Sequence, residues 1–206
     1  MNIISLGNAA AKIADKFSQY PQYTIYKIDI GIETTKTSLG LTSFQTPEEF
    51  ELYCPSLVDF LSPIKDEVVF ICAGGGAVSG TALKVLEQVR DKKITVLYVR
   101  PDTAFLSEKA SLHEKATFGI LQQYARSGLF DKFYVVDNVT IEQIIGEIPI
   151  TQYYDKINEL ISQTLHMINV YKRIKPVLES KNDESSITRI STFGISDLKT
   201  GEDKLF

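Results

Sequence analysis

Four of the seven residues from position 74 to 80 are glycine, in the stretch Ala73-Gly74-Gly75-Gly76-Ala77-Val78-Ser79-Gly80. A loop of this composition suits an anion. Without Cβ atoms the backbone can close on a phosphate, and N–H groups across 74–80 can point at it. Ser79 adds a hydroxyl donor. The plainer alternative is a glycine loop packed closely on a sheet. The turn Gly7-Asn8 is a second place where backbone can approach an anion, and Lys12 beyond it is either a point charge for phosphate or a solvated side chain. Asp29 carries a carboxylate to the end of an apolar segment. Asn138 and Asn158 each carry an amide that can donate and accept; the plain readings are a turn residue for Asn138 and a solvated helix residue for Asn158. Cys54, Cys72, His113 and His166 show no disulfide framework and no metal spacing.

The elements that must hold these residues can be read from periodicity. Residues 2–6 read as a strand and 9–18 as a helix ended by Pro21. Tyr23 to Ile30 reads as a second strand, and 31–46 as loop with room for a short edge strand. Thr46-Pro47-Glu48-Glu49 opens a helix that could reach Leu61, with Pro55 interrupting it. The β-branched run Val68 to Cys72 is a buried strand, and Ala82, Val85, Leu86 and Val89 space the helix after the glycine loop. Ile94–Val99 is the next strand. The helix over 106–127 carries Ala110, Ala116, Ile120, Leu121 and Tyr124 and stops at Gly128. Lys132–Asp137 is a strand and 140–145 a short helix. Thr151 caps a long helix, 151–175, which at about 24 residues would be roughly 36 Å long. Strands alternating with helices predict an α/β fold, a doubly wound and mainly parallel sheet. Ligands of such sheets bind beyond the carboxyl ends of the strands, where the loops 7–12, 29–31, 73–80, 100–105 and 137–139 all lie. The division expected is a domain over 1–178 and a polar linker with a short terminal segment over 179–206.

The chain of 206 residues is 44% hydrophobic and 23% charged, ordinary for a globular protein. A net charge of −4 disfavours a general nucleic-acid or anionic-membrane surface. No apolar run approaches the roughly 20 residues that span a bilayer, and no signal-peptide pattern precedes the first strand. A reducing, cytoplasmic setting is expected.

Taken in order, several stretches resemble the tubulin/FtsZ superfamily of GTPases. Gly74 to Gly80 resembles its signature loop, Gly-Gly-Gly-Thr-Gly-Ser/Thr-Gly, between a central strand and its helix. Val96-Leu97-Tyr98-Val99-Arg100-Pro101 is similar to the next strand and its proline-containing ribose loop. Tyr134 to Asn138 resembles the strand that ends in a base- or ribose-contacting asparagine. Ile157-Asn158-Glu159-Leu160 resembles the central helix, whose Asn or Asp hydrogen-bonds guanine. The resemblance covers roughly residues 1–175. It implies a GTP/GDP site built from Gly7, Asn8, Lys12, Asp29, Gly74, Gly75, Gly76, Ala77, Val78, Ser79, Gly80, Pro101, Asn138 and Asn158, with Mg²⁺ on the phosphates; Asp29 either approaches the nucleotide or the magnesium water shell or is a turn carboxylate. It also implies self-association or assembly with other subunits, the nucleotide lying at a head-to-tail contact.

The sequence also departs from that pattern. The first loop, normally glycine-rich, holds Ala9, Ala10 and Ala11, and Lys12 stands near where an asparagine is usual. Ala77 lacks the usual hydroxyl and Val78 replaces a glycine. Ser196-Asp197-Leu198 faintly resembles the helix whose acid polarises water on the next subunit's nucleotide, which would make Asp197 the catalytic acid. Gly194 stands where a partner acid is expected. The activation domain that follows the central helix in the family is missing. The chain is therefore either a piece of a longer protein or a reduced relative, and GTP hydrolysis by it alone is expected to be weak or absent. Two readings stay open: a GTP-binding, assembling protein, and a scaffold that keeps the fold without nucleotide turnover. A dinucleotide-dependent oxidoreductase is disfavoured, because the first strand–helix turn lacks Gly-x-Gly-x-x-Gly.

Overall fold

Strands that are apolar throughout must be covered on both faces, which requires helices above and below a parallel sheet. The computed structural model, which describes residues 1–145, 149–175, 189–197 and 201–205, has this arrangement. Its strands are β1 (Asn2–Leu6), β2 (Thr24–Ile30), β3 (Ser38–Leu41), β4 (Glu67–Ala73), β5 (Lys93–Arg100), β6 (Lys132–Asp137) and β7 (Ile190–Ser191). They form one sheet in the order β3-β2-β1-β4-β5-β6-β7, parallel at every pairing. An antiparallel hairpin, β8 (Gly194–Asp197) with β9 (Glu202–Leu205), lies apart from this sheet. The helices are α1 (Asn8–Asp15), α2 (Pro47–Leu52), α3 (Val58–Leu61), α4 (Ala82–Gln88), α5 (Glu108–Ser127), α6 (Asn138–Ile145) and α7 (Ile150–Arg173).

β4 shows how sequence sets the two layers. Val68, Phe70 and Cys72 face one core with Phe50, Leu61, Val85, Leu86, Leu121 and Ala125, which come from α2 to α5. Val69 and Ile71 face the other core with Ala10, Ile13, Ile141, Ile157, Ile161 and Leu165, from α1, α6 and α7. Successive side chains of one strand thus serve opposite cores, the period-two geometry of a buried strand.

Several element boundaries differ from the sequence expectation, each for a local reason. The helix expected from Thr46 toward Leu61 is two pieces. Thr46 accepts from the Glu49 N–H while the Glu49 carboxylate accepts from the Thr46 N–H, so α2 starts as foreseen, but the chain leaves helix before Pro55 and resumes at Val58. The long helix starts at Ile150, one residue before the expected cap Thr151, because the Pro149 carbonyl takes the Gln152 N–H. On α5 the buried positions are Glu114, Leu121 and Ala125, while Ala116 and Ile120 are exposed. That stripe follows i, i+7, i+11 and includes an acid where an apolar residue is the rule. Beyond residues 176–188, which lie outside the description together with the expected linker, Ile190–Ser191 pair with β6. Phe193 is then buried against the Tyr134 ring, with 5.0 Å between centroids.

Candidate functional site

β1 pairs with both β2 and β4, so the strand order runs outward in opposite directions from the β1–β4 contact. Leu6 stands opposite Cys72 in that register, which places Gly7 and the glycine loop side by side at the carboxyl edge. α1 then leaves toward one face and α4 toward the other. Two adjacent loops that diverge in this way open a crevice between them, the place where open α/β sheets take ligands.

Both loops present unspent donors to that crevice. Gly7 caps α1 at φ 83, a left-handed conformation that glycine supplies without strain. Its own N–H is taken by the Ile28 carbonyl at 2.9 Å. The first bond of α1 runs from Ala11 N–H to the Gly7 carbonyl, so the N–H groups of Asn8, Ala9 and Ala10 precede the helical ladder, and no side chain caps them. In the glycine loop, the Gly74 N–H is spent on the Val99 carbonyl at 3.0 Å, and the Ser79 N–H on the Gly76 carbonyl at 3.1 Å. The N–H groups at 77 and 78 start a 3-10 turn and have no partner within it. The donors for an anion therefore narrow from the whole of 74–80 to about 75–78.

The four glycines of the loop have different reasons to be glycine. A Cβ on Gly80 would lie 1.9 Å from the Pro47 carbonyl oxygen, so this residue lets α2 sit against the loop. A Cβ on Gly74 would lie 2.3 Å from the Tyr98 hydroxyl and 2.9 Å from Glu114 Cγ. Gly75 has φ 81 and faces Leu106 and Pro101. A Cβ on Gly76 would meet nothing within 4 Å. Close packing thus accounts for Gly74 and Gly80, while Gly76 fronts open space. A cleft of about 170 Å³ lies on the α2 and α5 side of the loop, lined by Thr46, Pro47, Gly76, Ser79, Lys109 and His113 among others, and not by Gly7 or α1. The Ser79 hydroxyl donates to the Gly76 carbonyl at 2.6 Å and so braces the turn.

The remaining candidates are spread over several elements. Pro101 follows β5 and packs against Gly74 and Gly75. Asn138 is the first residue of α6, half-buried; the preceding Asp137 caps the helix by accepting from the Val139 and Thr140 N–H groups. Asn8 and Lys12 are exposed on α1. Asn158 is half-buried on α7, one residue from Ile157, which packs in the core that α1 shares. Asp29 is 8% exposed and accepts from the Ile30 N–H at 2.8 Å. Burial pushes its pKa up, against the smaller effect of that hydrogen bond. Among the described residues no group of three His, Cys, Asp or Glu is placed to hold a metal ion. The backbone donors fit phosphate. Asp197 ends β8, opposite Glu202, so Ser196 and Asp197 lie in a strand where the resemblance implied the start of a helix.

The sequence marks Tyr98 and Arg100 only as part of a strand and its proline loop; in the fold Tyr98 and Glu114 pack behind Gly74, and Arg100 pairs with Glu114. No sequence pattern marks this cluster, because an acid at 114 interrupts the apolar stripe of α5. Burial also pushes the Tyr98 phenol up, helped by neighbouring Cys72 and Glu114, and pushes the Cys72 thiol up, so that neither ionises near neutral pH.

The strand order, the two layers of helices and the loops at the carboxyl edge make a fold shared with solved structures of FtsZ and TubZ. Among solved structures, the chain is similar to an empty FtsZ dimer from M. jannaschii, at a TM-score of 0.68 and 14% identity over 95% of this chain and 63% of that one. It is similar to TubZ from Bacillus thuringiensis serovar israelensis in GDP-form protofilaments, at a TM-score of 0.64 and 18% identity over 81% of this chain and 53% of that one. A W319Y mutant of M. jannaschii FtsZ aligns at a TM-score of 0.65 and 14% identity, over 86% of this chain and 58% of that one. The chain thus spans less than two thirds of the length of each. No family model matches the sequence, and no curated protein matches it.

Proposed function

We propose that this chain binds a guanine nucleotide at the β1–β4 crevice and associates with further subunits, with weak or no GTP hydrolysis on its own. The observation that carries the reading is the pair of uncapped backbone donor sets, at 8–10 and at 75–78, on adjacent parallel strands at the point where strand order reverses. Such donors favour phosphate through direct hydrogen bonds and helix polarity. Asn138 and Asn158 would supply amides for ribose and base. The similarity to an FtsZ dimer and to TubZ protofilaments supports assembly. Ala77, which lacks the hydroxyl usual in the signature loop, and Val78, which stands in place of a glycine, support slow turnover. We place the nucleotide-binding domain at 1–178.

The second reading is a scaffold that binds no nucleotide. It is favoured by the internal use of the Ser79 hydroxyl and by the tight filling around Gly74 and Gly80. Titration with a fluorescent GTP analogue, with and without magnesium, separates the two. Saturable binding that weakens in Gly75→Val and Asn158→Ala is expected. Absence of binding at high micromolar nucleotide would establish the scaffold. Light scattering in GTP against GDP then reports nucleotide-linked assembly, and phosphate release by the chain alone should stay near background.

A further inference from the structure

We propose that Arg100 is a phosphate-contacting residue of this crevice, held in place by the buried Glu114. The inference rests on the nucleotide-binding reading and adds a cationic side chain where that reading offers backbone donors and amides. Arg100 ends β5, one residue beyond Val99, whose carbonyl takes the Gly74 N–H. It therefore stands where the glycine loop leaves the sheet.

The guanidinium is fixed twice. Its Nε donates to Glu114 Oε1 at 3.4 Å, and its Cζ lies 4.8 Å from the centroid of the Phe118 ring. The Arg100 side chain is 35% exposed, whereas that of Glu114 is 1% exposed. An arginine tethered through Nε keeps both Nη groups for another acceptor. Glu114 also lies directly below the loop, since its Cγ is the atom a Cβ on Gly74 would meet at 2.9 Å.

A buried carboxylate in that place is costly. Its Oε2 has no hydrogen-bond partner, and an apolar residue on the same stripe would pack without that penalty. Orientation of Arg100 accounts for the acid. A planar fork of N–H donors matches an oxyanion, which it can bind through two parallel bonds. Beside a loop whose backbone donors at 75–78 suit the same chemistry, the ligand class is the pyrophosphate portion of a nucleotide.

The test uses two probes on the whole chain: inorganic pyrophosphate, read by thermal stabilisation, and a fluorescent GTP analogue, read by titration. Arg100→Met alone would strand a buried charge, so the variants are Arg100→Lys and the double change Arg100→Met with Glu114→Gln. The double variant should unfold cooperatively and bind both probes about tenfold or more weakly, the loss of one charge-assisted contact. Arg100→Lys keeps the charge and loses the fork, and should fall between it and the unaltered protein. Unaltered affinity for both probes in Arg100→Lys and in the double variant would overturn the assignment. Arg100-dependent binding of pyrophosphate without binding of the analogue would uphold the site and remove the nucleotide reading. Binding of the analogue that ignores Arg100 would do the reverse, and failure of the unaltered protein to bind either probe would overturn both.

Discussion

Gly74 and Gly76 are two residues apart and identical in the sequence, yet substitution should treat them differently. Gly74→Ala drives a methyl group into the Tyr98 hydroxyl and Glu114 Cγ. It should cost about 1–3 kcal/mol, the usual penalty for overpacking, read by chemical denaturation. Adding Tyr98→Phe removes the nearest clashing atom and should restore part of that loss. Gly76→Ala, at φ −90 with open space in front, should change stability by no more than about 0.5 kcal/mol. It is therefore the cleaner probe of ligand contact, because a loss of binding there could not be a loss of fold. His166 belongs to the same scale. Its ring stacks on Tyr20 at 3.7 Å and its Nδ1 lies 3.0 Å from the Tyr23 hydroxyl. Burial lowers its pKa from the ordinary 6.5. A histidine whose folded pKa is depressed contributes full stability above the unfolded value and loses it as pH falls through the folded one. The melting temperature should therefore drop more between pH 7 and 5 in the unaltered protein than in His166→Phe.

At the scale of elements, α7 is bound to the sheet by packing first and charge second. Ile161 and Leu165 are fully buried in the core shared with α1, β4 and β5. Leu165→Ala should cost about 2–5 kcal/mol in equilibrium unfolding. The end of the helix is tied to the start of β4 by Arg173 and Glu67, with Lys93 also on the same carboxylate. Burial alone would raise the Glu67 pKa, but Arg173 and Lys93 outweigh it and the net direction is down from 4.5. The stability it adds is present above that unfolded value and is lost as pH falls through the folded one. With both partners about half-exposed, the pair is worth at most about 1 kcal/mol. Glu67→Gln should thus be slightly less stable than the unaltered protein at pH 7 and equal to it in strong acid.

For the whole molecule, the sheet is closed at one edge by a strand of only two residues. Phe133 N–H donates to the Arg189 carbonyl at 2.7 Å, and Phe193 anchors the segment beside Tyr134. Phe193→Ala removes a fully buried ring and should cost about 3–5 kcal/mol. Hydrogen exchange should then quicken at Phe133 ahead of the central strands, because β7 would leave while β1, β4 and β5 keep their neighbours on both sides.

The sequence by itself determined most of the elements and the class of fold. Continuous β-branched runs and i, i+3, i+4 spacing report burial locally, so β1, β2, β4, β5, β6 and α4 could be read within a residue or two. The glycine loop and its place after a central strand were legible for the same reason. Boundaries set by a single hydrogen bond were not, as with Pro149 in place of Thr151. Neither was the stripe on α5, because Glu114 breaks the apolar pattern that marks such a stripe. Only the tertiary structure decided which strands are neighbours. The β1–β4 pairing joins segments more than 60 residues apart, and no local pattern encodes it. That pairing sets Gly7 beside the glycine loop, and the packing of α5 on β5 brings Glu114 to Tyr98 and Arg100 behind Gly74. Composition marks a loop that can approach a phosphate, whereas the neighbours brought by folding decide which of its glycines are filled from behind and which face an open crevice.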